Sequence, residues 1–211
     1  MRKLLLFVWL LLPAGAAAYH YGPGQDHLRV DRAATAADRA EQLANDARAL
    51  AAKRGDCAAA ELWSQAASAY SEALEELPKD CAKDARTLRL ERAKALMFCS
   101  KLPDAHAELV DLVEELDGDP TVEPKLLADA RGALANAQYY RTWLMRLEGA
   151  TAEEWEPEIE ASRQNYKWIA EQAERTGDKL LAKANQEDLE AAIRLARMDL
   201  AELQGLPLPS Q

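Results

Sequence analysis

Apolar and polar positions along the chain alternate with the period of an α-helix. Between residues 58 and 77 the apolar residues recur at intervals of three and four, which places them on one helix face. They are Ala59, Leu62, Trp63, Ala66, Tyr70, Ala73, Leu74 and Leu77. A second seam of this kind runs from Leu126 to Leu147. No segment has the alternation or the β-branched enrichment of a strand, so the pattern predicts an all-α fold.

Helix-breaking and capping residues divide the chain into about seven predicted helices. They cover approximately residues 31–54, 58–77, 82–101, 103–117, 124–148, 156–176 and 178–204. Pro78 ends the second helix, and Pro103 begins the fourth, where proline is tolerated in the first turn. Thr151 and Glu154 have the spacing of a capping box. Because Pro157 would clash inside a regular helix, we expect a short turn at 151–155 and a new helix from 156.

The first eighteen residues have the organisation of a secretory signal peptide. Arg2 and Lys3 precede an apolar run from Leu4 to Leu12, and three alanines ending at Ala18 fit an A-x-A cleavage site. The run is too short to span a bilayer comfortably. We therefore predict an exported protein, periplasmic or secreted, with no membrane span after cleavage. An uncleaved N-terminal anchor is the alternative.

Three further segments follow the predicted signal peptide. Residues 19–30 contain Gly and Pro without periodicity, which indicates a flexible leader. Residues 31–205 form the predicted helical domain, and residues 206–211 (LPLPSQ) have the composition of an extended tail.

The charge balance argues against nucleic acid as a partner. Thirty-six acidic residues against twenty-six basic ones give a formal net charge of −10 at pH 7. Such a surface opposes the phosphate neutralisation on which nucleic-acid affinity depends. Removing the first eighteen residues would take away two cations and no anion, so the exported chain would be more acidic still.

The second predicted helix carries the spacing of a known repeat family. Ala66 is followed by Tyr70, Ala73 and a terminating Pro78, and Ala105 takes the position of Ala66 in the fourth helix. This spacing resembles the second helix of a tetratricopeptide repeat, where small residues let helices approach and an aromatic residue fills the gap. The resemblance implies antiparallel helix pairs stacked as a short, TPR-like α-solenoid over about residues 31–176, with degenerate repeats and the seventh helix as a cap. A non-repeat helical bundle is the alternative.

No motif indicates catalysis or a metal. His20, His27 and His106 lack metal-ligand spacing, and no hydrolase motif, phosphate-binding loop or dinucleotide fingerprint occurs. We therefore predict a protein that is not an enzyme and holds no metal or cofactor.

The three cysteines are an odd number for an oxidising compartment, so at most one internal bridge can form. In stacked repeats, the turns that hold Cys57 and Cys99 would be neighbours on one edge. Cys81 would lie a helix length away, about 28 Å. The prediction is a Cys57–Cys99 disulfide with Cys81 free. Three buried thiols are the alternative.

Aromatic residues are concentrated on the fifth and sixth helices and the linker between them. They are Tyr139, Tyr140, Trp143, Trp155, Tyr166 and Trp168. Helical spacing favours packing between the two helices. The alternative is an aromatic ledge for a partner, of which Trp155 is expected to be the exposed member.

The resemblance implies a concave groove lined by the first helix of each pair. The candidate residues are Thr87, Glu91, Lys94, Arg131, Gln138, Thr142 and Arg146, together with Trp155 beside them. Three cations on this surface would suit an acidic segment or a C-terminal carboxylate of a protein or peptide partner. A merely solvated helix face is the alternative. The predicted function is a protein-binding adaptor or scaffold; the alternative is a structural subunit that forms homo-oligomers or joins an envelope complex.

Overall fold

The structure is a computed structural model that describes residues 23–205, and the regular secondary structure of this range is entirely α-helical. Its eight helices are α1 Pro23–Arg54, α2 Asp56–Glu76, α3 Ala82–Phe98, α4 Leu102–Asp117, α5 Pro124–Leu147, α6 Ala152–Thr176, α7 Lys179–Arg197 and α8 Leu200–Gln204. The prediction of an all-α fold is confirmed. The predicted signal peptide and the predicted extended tail lie outside the described residues.

Neighbouring helices pack against each other in chain order and form a stack. Three buried clusters follow one another along it: one from α1 to α3, one from α3 to α5 and one from α5 to α8. Each cluster is formed by side chains of at least three consecutive helices, and neighbouring clusters share a helix. Stacked helix pairs bury a continuous core in this way. Within residues 23–205 no helix has both the length and the apolar character needed to cross a membrane.

Helix α1 begins earlier than the pattern predicts. Residues 23–30 are helical, so the predicted flexible leader is wrong over that stretch. Arg29 donates to the Glu75 carbonyl at 3.4 Å, and Arg32 lies 3.7 Å from the Glu76 carboxylate, which ties this turn to the end of α2. Hydrophobic periodicity reports only buried faces, and residues 26–32 are exposed. This is why the pattern did not find the helix.

Helix α6 runs straight through the predicted break. Thr151 caps it with the expected capping box to Glu154, but the helix continues from Ala152 through Pro157, so the predicted turn at 151–155 is wrong. Pro157 lies in the second turn, where its missing amide leaves only the Glu153 carbonyl without its helical partner. Glu153 is exposed, so solvent is available to that turn.

The predicted seventh helix is two helices. Met198 is extended, with φ −63° and ψ 143°, and separates α7 from α8. Asp199 then starts α8 by accepting from the Glu202 amide at 2.7 Å, while the Glu202 carboxylate accepts from the Asp199 amide. This capping box satisfies the amides of a new helix start, which stabilises the break.

Candidate binding groove

Helices α3, α5 and α7, which alternate with the others along the stack, open a pocket of about 400 Å³. Residues of α3 lie on one side, α5 provides the floor, and Leu181 and Asn185 of α7 lie on the other side. The principal lining residues are Lys94, Met97, Phe98, Asp129, Gly132, Asn136, Tyr139, Tyr140, Ile169, Leu181 and Asn185. The lining is mostly apolar with a few polar groups, a composition typical of binding sites.

The packing behind the groove holds its walls in place. The Phe98 ring stacks on Trp63 of α2 with centroids 4.6 Å apart, and Trp63 is itself buried. On the floor, Tyr166 of α6 donates its hydroxyl to Asn136 Oδ1 at 2.5 Å. Burial raises the pKa of Tyr166, so its hydroxyl stays a hydrogen-bond donor at neutral pH.

Gly132 keeps the floor of the groove open. It lies in the interior of α5, where glycine is a poor helix former. A Cβ atom built at this position would meet only Ile169 Cδ1, at 3.7 Å, which is an ordinary contact. The absence of a side chain therefore leaves space in the groove instead of permitting a close helix approach.

A second pocket of about 650 Å³ continues from the first. The two share Ala128, Asp129, Ile169 and Leu181. The second lies where α4 and α6 end and α5 and α7 begin, and its apolar lining residues are Leu116, Pro120, Val122, Pro124, Leu127, Ala128, Trp168, Ile169, Ala173 and Leu181. Leu181 is 42% exposed and the adjacent Leu180 is 84% exposed. Together the pockets make one groove, which we call the α3–α5–α7 groove.

The loop between α4 and α5 forms a wall of the second pocket and is held by Asp119. Asp119 Oδ1 accepts from the Thr121 amide at 2.9 Å and from its hydroxyl at 2.7 Å, and Oδ2 accepts from Arg86 at 2.8 Å. The bonds from Thr121, and then that from Arg86, lower the pKa of Asp119 to about 2. The carboxylate is therefore ionised at neutral pH and keeps the loop bonded.

Arg131, predicted as a groove residue, is occupied by internal contacts. It pairs with Asp117 at 2.8 Å, donates to Asn165 Oδ1 at 2.9 Å, and its guanidinium lies 4.7 Å from the centre of the Trp168 ring. Asn165 in turn donates to Gln138 Oε1 at 3.1 Å. These contacts link α4, α5 and α6, and the charge of Arg131 is paired with a carboxylate of the same protein.

Gln138 and Thr142 do not line a groove, and their prediction as partner-binding residues is wrong. Gln138 is 6% exposed and Thr142 is fully buried, with its hydroxyl donating to the Gln138 carbonyl at 2.8 Å. The prediction assumed that the side of α5 opposite its apolar seam faces solvent. Helices α6, α7 and α8 cover that side instead.

Arg146 and Trp155, also predicted as groove residues, hold the C-terminal end of the stack. Arg146 donates to the carbonyls of Leu195 and Met198, at the break between α7 and α8. Its guanidinium lies 4.7 Å from the centre of the Trp155 ring, which is half-buried rather than exposed. The other aromatic residues fall into two groups. Trp143 and Tyr166 are core residues, whereas Tyr139 and Tyr140 line the groove.

Of the three predicted groove residues of α3, one lines the first pocket and the other two do not. Lys94 lines the first pocket, and Glu91 accepts from its ammonium group at 2.8 Å. Thr87 is exposed on the same helix, with its hydroxyl donating to the Lys83 carbonyl. Of the residues proposed for repeat packing, Ala66, Tyr70, Ala73 and Ala105 are buried, and Pro78 is half-buried after the end of α2.

The cysteines are free thiols in the structure, so the predicted Cys57–Cys99 disulfide is not formed there. Cys57 is exposed at the start of α2, whereas Cys99 packs against the alanine-rich cluster of α1, α2 and α3. Burial raises the pKa of the Cys99 thiol, which makes it a poor nucleophile at neutral pH.

A charged cluster that sequence reasoning missed joins α4, α5 and α6. The Glu158 carboxylate lies 3.2 Å from His106 Nε2 and 2.8 Å from Arg141 Nη1. The contact with His106, and then the charge of Arg141, lower the pKa of Glu158 against the opposing effect of burial. The three residues are far apart in the sequence, so no local pattern could have grouped them. Among the described residues no cluster of His, Cys, Asp and Glu has the arrangement of a metal site.

Comparison of the chain with known protein families, with curated proteins and with solved structures finds no match.

Proposed function

We propose that this protein is an exported, non-catalytic adaptor that binds a segment of another protein in the α3–α5–α7 groove. The observation that carries the proposal is the continuity of the two pockets across alternate helices of the stack. A groove of this kind offers several neighbouring positions for side chains, as peptide-binding helical grooves do. The residues at its centre supply hydrogen-bonding groups and apolar surface without a nucleophile and base pair.

Two further observations support this proposal. Pockets of about 400 and 650 Å³ are large enough to take side chains of a partner. The resemblance of α2 to a tetratricopeptide repeat agrees with a stack whose alternate helices line a groove. Export rests on the pattern of the first eighteen residues.

A structural subunit that self-associates is the second candidate, and the exposed surface of α1 favours it. Within residues 23–205, helix α1 is the first of the stack and α2 is the neighbour that packs on it. Leu28 and Val30 are 43% and 39% exposed there. Copies that met through this end of the stack would bury these side chains.

Site-specific photo-crosslinking distinguishes the two candidates. A photo-reactive amino acid is placed at Leu181 in the groove or at Leu28 on α1, two leucines of nearly equal exposure. We expect a foreign protein to be captured from native extract through position 181 and not through position 28. Capture through position 181 should be lost when Gly132→Phe fills the groove and kept with Gly132→Ala. Capture of the protein itself through position 28 alone would favour the structural subunit.

A further inference from the structure

Some charged side chains around the groove already form ion pairs within the protein, and others do not. Arg86 and Arg131 are bonded to Asp119 and Asp117, and Lys94 is paired with Glu91. Of the three cations that suggested an acidic partner, Lys94 and Arg131 are thus paired with carboxylates, and Arg146 donates to the backbone carbonyls of Leu195 and Met198. They do not provide a site for a carboxylate of a partner.

Two carboxylates on the rim remain available. Asp129 lies on α5 and lines both pockets, and Asp178 lies directly before α7 and lines the larger one. Both are exposed, and neither forms an ion pair with a residue in the described part of the chain. Asp178 Oδ1 accepts from the Leu181 amide at 3.0 Å. Among the described residues Lys125 is the one basic residue that lines this pocket, so the unpaired carboxylates outnumber the cations there by two to one.

The surface between these carboxylates is apolar. Val122, Leu127, Trp168 and Leu181 line the larger pocket. Burying a large aliphatic or aromatic side chain in such a pocket favours binding, because apolar surface is removed from water. An occupant that also carries cations would match Asp129 and Asp178 at the rim.

We infer that the groove binds an apolar segment of another protein flanked by Lys or Arg, with a large apolar side chain in the larger pocket and cations beside Asp129 and Asp178. This inference rests on the proposed function and replaces the acidic partner expected from the sequence. Attraction between the rim and the cations would add affinity that falls as salt is raised, because exposed charges are screened.

A peptide-binding experiment tests the inference with the chain that begins at Tyr19, from which the predicted signal peptide cannot compete. One fluorescein-labelled peptide has Leu and Phe residues flanked by Lys, and its counterpart has Glu in place of each Lys. We expect the basic peptide to bind at least about tenfold more tightly by fluorescence anisotropy, with affinity falling as salt is raised.

The Asp129→Asn, Asp178→Asn double variant should weaken binding of the basic peptide by about tenfold, since two exposed charge pairs are lost. Asn also caps helices well, so α7 keeps its start and the melting temperature should not change. The matched control is Asp26→Asn, Asp46→Asn, which removes the same charge from exposed positions on α1 and should leave binding unchanged.

Equal binding of the two peptides, binding of neither, or an equal effect of the two double variants would overturn the inference. Failure of the inference remains distinct from failure of the proposed function. If neither peptide binds but position 181 still captures a foreign protein, the groove function stands and the partner has another chemistry. If position 181 captures nothing, the proposed function itself is wrong.

Discussion

The two ends of the helix stack are built from side chains of different size. In the cluster of α1 to α3 the buried residues are nearly all alanine, with Trp63 and Tyr70 as the large members. In the cluster of α5 to α8 they include Trp143, Ile159, Tyr166 and Leu195. Alanine contacts let helices approach closely, whereas large side chains hold them apart. The groove lies between these two ends and is lined by residues from α3 to α7.

The largest expected effect comes from emptying the large-residue end. Leu195 of α7 is 1% exposed, and Leu195→Ala should lower the free energy of unfolding by about 3 kcal/mol through lost burial and the cavity it leaves. Leu180→Ala, on the same helix but 84% exposed, should change it by less than about 0.5 kcal/mol. Urea denaturation measures both. Equal effects would contradict the assignment of α7 as the cap of the stack.

Overfilling the alanine end should have the next largest effect. Ala66 has no exposed surface, so Ala66→Leu should push α2 away from its neighbours and lower the free energy of unfolding by about 2 kcal/mol. Ala58, exposed in the first turn of α2, provides the control. A stable Ala66→Leu variant in thermal denaturation would show that this interface has more free space than its alanines indicate.

The cluster of Glu158, His106 and Arg141 should make part of the stability depend on pH. The pKa of Glu158 is lowered in the fold from the ordinary value of 4.5, so its contribution is present above pH 4.5 and is lost as the pH falls through the lowered pKa. We expect Glu158→Gln to be about 1 kcal/mol less stable than the unmodified protein near pH 7. That difference should shrink in acid. The control is Glu160→Gln, which breaks a half-exposed pair with Arg163 on the same helix and should change the stability near pH 7 by less than about 0.5 kcal/mol.

The smallest expected effect is a gain in stability at the groove floor. Gly132→Ala should raise the free energy of unfolding by about 0.5–1 kcal/mol, because alanine is the better helix former and its Cβ fits at 3.7 Å from Ile169. Thermal melting detects this as a rise in the midpoint. A loss of stability would mean that the floor is more tightly packed than the structure indicates.

Much of the fold could be predicted because its determinants are local. The starts of α3 and α5 at Ala82 and Pro124 match the prediction, and their ends lie within a few residues of it. Capping and helix-breaking residues act on the turns beside them, so a single sequence is enough to place them. The same reasoning failed at Pro157, which is tolerated in the second turn of α6, and at Met198, where it overlooked the capping box of Asp199 and Glu202.

The candidate site was harder to predict because helix faces are assigned by neighbours that are distant in the sequence. Lys94 was placed correctly on the groove. Arg131, Gln138 and Arg146 were placed there because they lie opposite the apolar seam of α5, yet α6 and α7 turn that side into an interior. Asp129 and Gly132 carried no pattern that marked them as groove residues.

Local chemistry was thus enough to establish an all-helical chain with its main boundaries, since periodicity and caps depend on residues within a few turns. Tertiary packing assigned Gln138 and Thr142 of α5 to the interior, and Asp129 and Asn136 to the groove. It also joined α3, α5 and α7 into one surface and bonded the cations that had suggested an acidic partner. Those outcomes depend on which helices meet. The contacts of Arg146 with Met198 and of Arg131 with Asn165 join residues far apart in the sequence, so hydrophobic periodicity does not reveal them.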